Sequence, residues 1–335
     1  MTGRRQRIAA LGGGNGLSTV LRGLKTAPLD LTAIVTVADD GGSSGRLRRE
    51  LGVLPPGDIR NCLVALADDE SLLGRLFQHR FADGDLAGHS FGNLFLAALA
   101  EVTGSFDLAV RESSRVLKIN GRVLPSTLEQ VRLLAERDDG STVCGETQIG
   151  SGAGACVRVW LDPAPDAHPR TIDAIHDADM VLLGPGSLFT SVLPHLAVRD
   201  IVDALHDTRA LRVYIGNVMT QAGETTGLDA ADHLRHVMEA ANGAVDVVIA
   251  HQGPLDPAAV ARYRLQGQEP VQVDETILRN LGVRVVMRDL AATGQVVWHS
   301  PDALREVILE LCEELHAQRC EIPSTRHLQP TPPSA

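Results

Sequence analysis

Five residues near the start of the sequence have the composition of a phosphate-binding turn. They are Gly12, Gly13, Gly14, Asn15 and Gly16. Glycine tolerates positive φ and lets a ligand approach the backbone closely, and the N–H groups that open a following helix attract an anion. The spacing is not the Rossmann Gly-x-Gly-x-x-Gly, since the third glycine is missing, and no Gly-Lys-Ser/Thr of a P-loop follows. The segment predicts either a phosphate site or a tight turn without a ligand.

Two adjacent carboxylates open a second segment, which continues with glycine and serine. Its candidate ligand residues are Asp39, Asp40, Gly41, Ser43 and Ser44. Neighbouring carboxylates repel each other unless a cation or hydrogen-bond donors share the site. Asp40 could therefore bind Mg²⁺ together with a diphosphate, or Asp39 could accept a hydrogen bond from a ribose hydroxyl. A solvated loop with capping serines is the alternative.

Two further segments combine glycine with hydrogen-bonding side chains, each after an apolar run. The first could supply backbone amides and a hydroxyl to an anion, through Gly184, Gly186 and Ser187. The second could read the edge of a base or the hydroxyls of a sugar, through Asn217, Thr220 and Gln221. Each alone suits an ordinary strand-to-helix turn, but their joint occurrence favours one shared ligand site.

Polar residues in a mainly helical stretch complete the candidate site. They are Asp58, Asn61, His89, Ser90 and Asn93. Asp58 and Ser90 are also predicted helix N-caps, and His89 could act as a general acid or donate to a phosphate. The remaining histidines, among them His195 and His233, show no metal-ligand spacing, so we expect them on the surface or satisfied in the core.

The segments that follow apolar runs must be positioned by strands. Runs of apolar residues at 8–11, 31–37, 180–183, 213–215, 245–250 and 283–287 alternate with helical patterns. Such runs predict a mostly parallel sheet covered on both faces, that is, a doubly wound, Rossmann-like α/β fold. In this fold, ligands bind beyond the carboxyl ends of the strands, which is where the glycine segments fall.

The rest of the chain is predicted to belong to the same domain. Residues 58–134 show helical spacing with few strand signals and predict a helical insertion within a single domain at 1–316. Residues 143–149 and 155–161 predict a hairpin around the glycines at 150–152. The proline-rich end, 317–335, predicts a disordered tail.

The composition excludes several classes of protein. The chain has 335 residues and a net charge of −11, with 44% hydrophobic and 3% aromatic residues. It is too apolar for a disordered protein, and it lacks the basic face and stacking rings of a nucleic-acid binder. No run approaches the roughly 20 apolar residues of a membrane span, and the apolar run after the arginines at 4–7 is too short for a signal peptide.

The cysteines predict the compartment. There are five, at long spacings and without Cys-x-x-Cys, which argues against a disulfide framework and fits a reducing environment. We therefore expect a cytoplasmic protein. A homodimer is the base-rate expectation for its assembly.

The segments together resemble the gluconeogenesis-factor (YvcK) family of the CofD-like superfamily, over nearly the whole chain. The matching stretches lie at 10–18, 35–48, 57–66, 88–94, 183–191 and 217–225. Two of them, Asp-Asp-Gly-Gly-Ser-Ser-Gly and Asn-Val-Met-Thr-Gln, resemble this family more than the CofD transferases.

The resemblance implies a protein that binds UDP-sugars, notably UDP-N-acetylglucosamine, and needs no cofactor. It implies a regulator of cell shape and cell-wall synthesis during gluconeogenic growth, with a cell-wall or regulatory protein as partner. An enzyme is the alternative: the related CofD proteins are Mg²⁺-dependent transferases that move a phospholactyl group from a nucleotide diphosphate donor. An NAD(P)-binding protein is a third possibility, against which the failed Rossmann spacing weighs.

This chain differs from the usual family pattern at a few positions. Asn15 stands where threonine is common, and Phe189 where tyrosine is common. Relatives can carry Arg-His-Asp-Thr where this chain has Trp-His-Ser-Pro at 298–301. The difference removes a guanidinium tied to UDP-sugar binding and a hydroxyl that is phosphorylated in relatives, whereas the ring of Trp298 could stack on a base.

Overall fold

The computed structural model describes residues 4–68, 72–152, 154–292 and 296–321. The strands of this part are β1 Gln6–Gly12, β2 Leu29–Val35, β3 Arg122–Pro125, β4 Arg132–Arg137, β5 Thr142–Cys144, β6 Cys156–Asp162, β7 Met180–Leu183, β8 Leu211–Ile215, β9 Val247–His251 and β10 Arg284–Arg288. Its α-helices are α1 Gly14–Leu24, α2 Gly42–Leu51, α3 Gly57–Leu66, α4 Leu72–Gln78, α5 Phe91–Thr103, α6 Phe106–Leu117, α7 Glu146–Ser151, α8 Pro169–Asp177, α9 Leu193–Leu196, α10 Arg199–Asp207, α11 Ala230–Ala240, α12 Pro257–Arg264, α13 Glu275–Asn280 and α14 Pro301–Glu321. A π-helical turn, Leu188–Val192, precedes α9.

Seven strands form one parallel sheet in the order β10-β9-β8-β7-β1-β2-β3. The chain moves outward from β1 to β2 and β3, returns to β7 beside β1, and then continues outward to β10. The direction of winding therefore reverses between β1 and β7, where Ala10 lies opposite Leu182. At such a point, the two loops at the carboxyl ends diverge and leave a crevice that can hold a ligand.

Alternate residues of β1 face two separate cores. Ile8 and Ala10 pack with α1, α3 and α14, whereas Ala9 and Leu11 pack with α8, α9 and α10 on the opposite face. Because both faces are buried, the strands must be apolar throughout, and this is the pattern that predicted a doubly wound sheet. The predicted α/β fold is confirmed.

The mainly helical stretch comprises α3 to α6. These helices end at Leu117, so the last part of the range predicted as helical, 58–134, instead contributes strands. β3 extends the large sheet, with Pro125 opposite Val35 of β2. A four-residue edge strand is too short to show an alternating pattern, and its partner is distant in sequence.

A second, antiparallel sheet has the order β5-β4-β6. The predicted hairpin of 143–149 with 155–161 is therefore wrong, because β4 lies between the two strands. The residues between β5 and β6 include the short helix α7, and the glycines interpreted as a hairpin turn lie at its end.

The last helix, α14, packs against α1 and joins the core on that side of the sheet through Leu304, Ile308 and Leu311. It continues to Glu321, so residues 317–321 of the predicted tail are helical, while 322–335 lie outside the described part. None of the described helices combines the length and the apolar character that crossing a bilayer requires.

Candidate functional site

A crevice of about 710 Å³ opens at the carboxyl edge of the sheet, at the switch point between β1 and β7. Nine of the residues predicted for the ligand site line it: Gly13, Gly14, Asn15, Gly16, Gly186, Ser187, Asn217, Thr220 and Gln221. The fold thus brings together three segments of the chain: Gly186 lies 170 positions after Gly16, and Asn217 lies 30 positions after Ser187. Gly12, the last residue of β1, and Gly184, the residue after β7, do not line the crevice. The Gly184 N–H donates to the carbonyl of Leu11, the neighbour of Gly12, and so ties the ends of the two strands together.

Glycine is required where α1 approaches the loop after β7. A Cβ at Gly16 would collide with the carbonyl oxygen of Pro185 and would lie 2.8 Å from Cα of Gly186. Gly14 has a φ of +54°, a region that favours glycine. The first-turn amides of α1 have no partners within the helix, and they open toward the crevice.

The carboxylate of Asp58 lies directly behind the glycine loop. It accepts a hydrogen bond from the backbone N–H of Gly14, and a Cβ at Gly13 would lie 2.6 Å from its Oδ2. Burial, followed by the nearby charge of Asp39, raises the pKa of Asp58 to about 6. The prediction that Asp58 caps a helix is wrong, since α3 already begins at Gly57, with Pro56 at the cap position.

Asp39 lies beside Asp58 and is held by local donors. Its Oδ1 accepts from the backbone N–H of Gly41 at 2.8 Å, and its carboxylate also bonds Ser44. A Cβ at Gly57 would lie 2.9 Å from Asp39 Oδ2, so the absence of a side chain there allows α3 to start against this carboxylate. Burial is the main cause that raises the pKa of Asp39.

Asp40 caps the short helix α7 from another part of the chain. Its Oδ1 accepts from the backbone N–H and from the hydroxyl of Thr147, both at 3.1 Å, and Gly145 closes against its carboxylate. Within the described ranges, no three His, Cys, Asp or Glu side chains are grouped so that they could hold a metal. The side chains around Asp40 thus form no metal site of their own, and Mg²⁺ at Asp40 stays a prediction.

Glu146, the first residue of α7, lines the crevice and was not predicted from the sequence. Burial raises its pKa to about 8, helped by the charges of Asp39, Asp58, Glu224 and Asp40. The carboxyl group of Glu146 is therefore neutral at pH 7, and it can both donate and accept a hydrogen bond.

The loops after β7 and β8 are joined by side chains. The backbone N–H of Gly186 donates to Oδ1 of Asn217 over 3.5 Å. The hydroxyl of Ser187 donates to the carboxylate of Glu224 and accepts from the Thr190 hydroxyl at 2.6 Å. Because the Ser187 hydroxyl is firmly engaged, whereas the Gly186 N–H makes only a long bond of 3.5 Å to Asn217, the Gly186 amide is the more available donor for an anion.

Buried Arg137 ties the small sheet to the same region. Its guanidinium donates to the carbonyls of Gly154 and Gly223 at 3.0 and 3.1 Å, and to those of Gln148 and Ile149 at 3.2 and 3.0 Å. A planar guanidinium can serve several carbonyls at once, which an ammonium cannot do in the same geometry. Arg137 therefore fixes α7 against the loop after β8.

Of the three residues after β8 that were predicted to bind a base or a sugar, Thr220 and Gln221 differ in the hydrogen-bonding groups they offer. Thr220 is occupied, because its N–H donates to the Glu269 carbonyl at 2.7 Å and its Oγ1 accepts from the Glu269 N–H at 2.8 Å. Oε1 of Gln221 is buried and has no partner among the described atoms. An unpaired buried acceptor at a crevice is unfavourable unless a ligand supplies a donor.

The remaining predicted residues form a separate polar group on the helical part. The Ser43 hydroxyl pairs with Nδ1 of His89 at 3.0 Å, and Ser90 caps α5 by accepting from the Asn93 N–H at 3.2 Å. The predicted N-cap role of Ser90 is thus confirmed. These four residues do not line the crevice, and Asn61 lies near Asp58, to which it donates.

One histidine from the apolar interior supports the crevice. Nε2 of His195 bonds the carbonyl of Gly12 at 3.0 Å, so it steadies the end of β1. Burial lowers the pKa of His195 to about 4, and the ring is neutral at pH 7. By contrast, neither ring nitrogen of His233, a buried residue, has a partner among the described atoms.

Comparisons with known proteins agree on the family. The family model described as 2-phospho-L-lactate transferase CofD matches residues 8–291. The gluconeogenesis factor of Halalkalibacterium halodurans is 47% identical over 313 residues, which cover 92% of this chain and 97% of the relative. The chain belongs to the gluconeogenesis-factor family.

Two further relatives give the same result for sequence and fold. The gluconeogenesis factor of Bacillus subtilis is 46% identical over 317 residues, covering 93% of this chain and 100% of the relative. A crystal structure of a UPF0052-family protein from Bacillus halodurans matches with a TM-score of 0.89 at 46% identity, over 92% of this chain and 100% of that one. The family resemblance found in the sequence is confirmed.

This gluconeogenesis-factor chain adds an aromatic wall to the crevice, largely beyond the sequence segments that carried the resemblance. Tyr263 and Trp298 line it, and the Tyr263 hydroxyl donates to the Val297 carbonyl at 3.2 Å. His299, next in the chain, bonds the Gly216 carbonyl at 3.0 Å. The backbone around Trp298 is thus fixed, while the residue itself is 45% exposed. Of these residues, the sequence had singled out Trp298 alone.

Proposed function

We propose that this gluconeogenesis-factor chain is a non-catalytic binding protein for UDP-sugars, with UDP-N-acetylglucosamine as its ligand. The observation that carries the proposal is the single crevice at the β1–β7 switch point, where three glycine-containing loops and an aromatic wall meet. Its volume of about 710 Å³ lies within the usual range for small-molecule sites.

The walls offer a partner for each part of such a ligand. The amides at the start of α1 and in the loop at Gly186 can donate to a diphosphate. Asn217 and Gln221 can bond a base or a sugar hydroxyl, and the unpaired Oε1 of Gln221 accepts from a ligand donor. Trp298 and Tyr263 present rings on which a base can stack.

We further propose that the protein acts in the cytoplasm and that it regulates cell shape and cell-wall synthesis under gluconeogenic growth, through a protein partner. The free thiols of Cys62, Cys144, Cys156 and Cys312 support a reducing compartment. Retention of partner proteins by immobilised chain, with and without UDP-N-acetylglucosamine, tests this step.

Calorimetric titration tests the ligand. UDP-N-acetylglucosamine should bind the unsubstituted protein, and Gly14→Val should weaken binding by roughly 1–3 kcal/mol through lost bonds to backbone amides. Gly243→Val is the matched control, since Gly243 also has positive φ but nothing within 4 Å of its Cβ position and does not line the crevice. Equal affinities of the Gly14→Val variant and the control would refute the diphosphate placement, and NAD competing equally well would refute the ligand.

A CofD-type transferase is the second candidate, because the matching family model carries that description. Such an enzyme would move a phospholactyl group from a nucleotide diphosphate to an acceptor hydroxyl and would release the nucleoside monophosphate. Mg²⁺-dependent turnover that is lost in Asp40→Asn but kept in Thr147→Ala would favour this candidate. Thr147→Ala is the control because it weakens the same cap of α7 without removing a carboxylate.

A further inference from the structure

The crevice has chemically different sides, and the order of the strands separates the segments that form them. Glu146 lies near the carboxylates of Asp39 and Asp58, which follow β2 and lie in the first turn of α3, and near that of Glu224 in the loop after β8. Tyr263 belongs to the helix after β9, and Trp298 follows β10. β1, β7 and β8 lie between β2 and β9, so the segments that follow β2 and β9 reach the crevice from opposite sides, and Asp40 in the segment after β2 holds the helix that carries Glu146.

A nucleotide diphosphate sugar has three parts that differ in the same way. Its base is flat and apolar on its faces, its diphosphate is anionic, and its sugar is neutral and rich in hydroxyls. The diphosphate needs hydrogen-bond donors, which the backbone amides of the loops provide, whereas a sugar hydroxyl can both donate to and accept from a neutral carboxyl group such as that of Glu146. The sugar is therefore the part that suits the acidic side, and the base suits the rings.

The acidic side is held in place before a ligand arrives. Asp40 caps α7 through both donor groups of Thr147, and Arg137 bonds two carbonyls at the end of the same helix. Glu146 therefore faces the crevice from a fixed backbone, which limits the positions that its carboxyl group can take and so favours selectivity.

We propose that Glu146 contacts the sugar of the bound nucleotide sugar, that the base lies against Trp298, and that Asp40 is the positioning residue for Glu146. This inference rests on the proposed function and specifies the orientation of its ligand. It makes Glu146 the residue that distinguishes a UDP-sugar from UDP.

Calorimetry with UDP and with UDP-N-acetylglucosamine tests the orientation. In Glu146→Ala, affinity for the UDP-sugar should fall roughly tenfold, the value of one hydrogen bond, while affinity for UDP stays within twofold. Glu146→Gln should keep most of the preference for the UDP-sugar, because an amide also donates and accepts. Asp40→Ala should reduce the same preference, which a merely structural defect would not do selectively.

Two further variants complete the experiment. Trp298→Ala should weaken the binding of UDP and of the UDP-sugar about equally. Glu136→Ala is the control, since Glu136 lies on β4 and pairs with Arg158 outside the crevice. The orientation would be overturned if Glu146→Ala lost equal affinity for UDP and for the UDP-sugar, or if Trp298→Ala bound UDP as tightly as the unsubstituted protein. Either result would leave the proposed function standing. Failure of the unsubstituted protein to bind either ligand would overturn the proposed function itself.

Discussion

The carboxylate of Asp58 accepts a hydrogen bond from the backbone N–H of Gly14, at the N-terminus of α1. A negative group therefore already interacts with the end of the helix where the sequence predicts a phosphate. An anionic ligand must use the amides that follow, around Asn15 and Gly16, and those of the facing loop at Gly186. Because Asp58 interacts with this end of the helix, its protonation changes the charge next to the crevice.

Asp58→Asn should change how stability depends on pH. The folded protein holds the Asp58 proton more tightly than the unfolded chain, because burial raises its pKa from 3.8 to about 6. The contribution of this raised pKa to the stability of the folded protein is fully present below about pH 4 and is lost as the pH rises through about 6. Asparagine can still accept the hydrogen bond from the Gly14 N–H. The free energy of unfolding of the variant should therefore exceed that of the unsubstituted protein by about 2–3 kcal/mol at pH 7, and the two should be nearly equal near pH 4.

Urea denaturation at pH 4, 5, 6 and 7 measures this difference. Asp173→Asn on α8 is a control, as this residue does not border the crevice and the substitution removes the same charge. A constant difference between the Asp58 variant and the unsubstituted protein across this range would contradict the placement of Asp58.

Gly16→Ala should destabilise the protein although alanine is the better helix former. The added Cβ would meet the Pro185 carbonyl, and the two loops would have to separate, at a cost of roughly 1–3 kcal/mol. UDP-N-acetylglucosamine binding should weaken as well, because the separation widens the crevice. Thermal unfolding and calorimetry measure the two effects.

Gly150→Ala is the matched comparison for that variant. Gly150 also lies in a helix, α7, but the nearest atom to its Cβ position is Oε1 of Glu224 at 3.6 Å, an ordinary contact. We expect Gly150→Ala to change the free energy of unfolding by no more than about 0.5 kcal/mol. If both alanine variants behaved alike, close approach of α1 to the loop after β7 would not be what requires glycine at position 16.

The site residues that could be predicted from the sequence are those that come directly after the strands of the large sheet. Asn15, Gly186 and Asn217 each follow a continuous apolar run, and parallel strands bring their carboxyl ends to one edge whatever the details of packing. Asp39 and Asp58 were also found as charged residues beside glycine. The predicted N-cap role of Asp58 was wrong, because α3 starts at Gly57, two residues earlier than that role requires, and Asp58 is a first-turn residue that bonds a different helix.

The residues that sequence could not predict depend on contacts distant in the chain. Glu146 reaches the crevice because α7 sits between strands of a small antiparallel sheet whose order was not evident. Asp40 caps that helix across 107 residues, and no local pattern identifies such a partner. Tyr263 faces the crevice only because α12 follows β9, on the far side of the sheet.

Binding of a UDP-sugar should weaken above pH 8 because of Glu146. Burial and the surrounding carboxylates of Asp39, Asp58, Glu224 and Asp40 raise the pKa of Glu146 to about 8, so it is neutral at pH 7 and charged at pH 9.5. Each charge of the diphosphate that lies ~10 Å from the ionised Glu146 costs roughly 1–2 kcal/mol of binding free energy at an effective dielectric of 20, so the affinity should fall by about tenfold for each such charge.

Glu146→Gln separates this effect from titration of the ligand. The amide cannot ionise, so the affinity of the variant should change far less between pH 7 and 9.5, whereas ionisation of the ligand's own base affects both proteins alike. Calorimetric titrations at these two pH values provide the measurement. If the Glu146→Gln variant and the unsubstituted protein lost affinity to the same extent between pH 7 and 9.5, Glu146 would not face the ligand.

Trp298 should report the base directly through its fluorescence. The chain has two tryptophans, and Trp160 lies on β6 under Arg158, away from the crevice. In Trp160→Phe, the emission comes from Trp298 alone, and UDP or a UDP-sugar should quench it because a stacked base exchanges energy and charge with the ring. Pyrophosphate and N-acetylglucosamine 1-phosphate lack a base and should leave the emission nearly unchanged. Quenching by pyrophosphate to the same extent as by UDP would place the diphosphate, and not the base, beside Trp298.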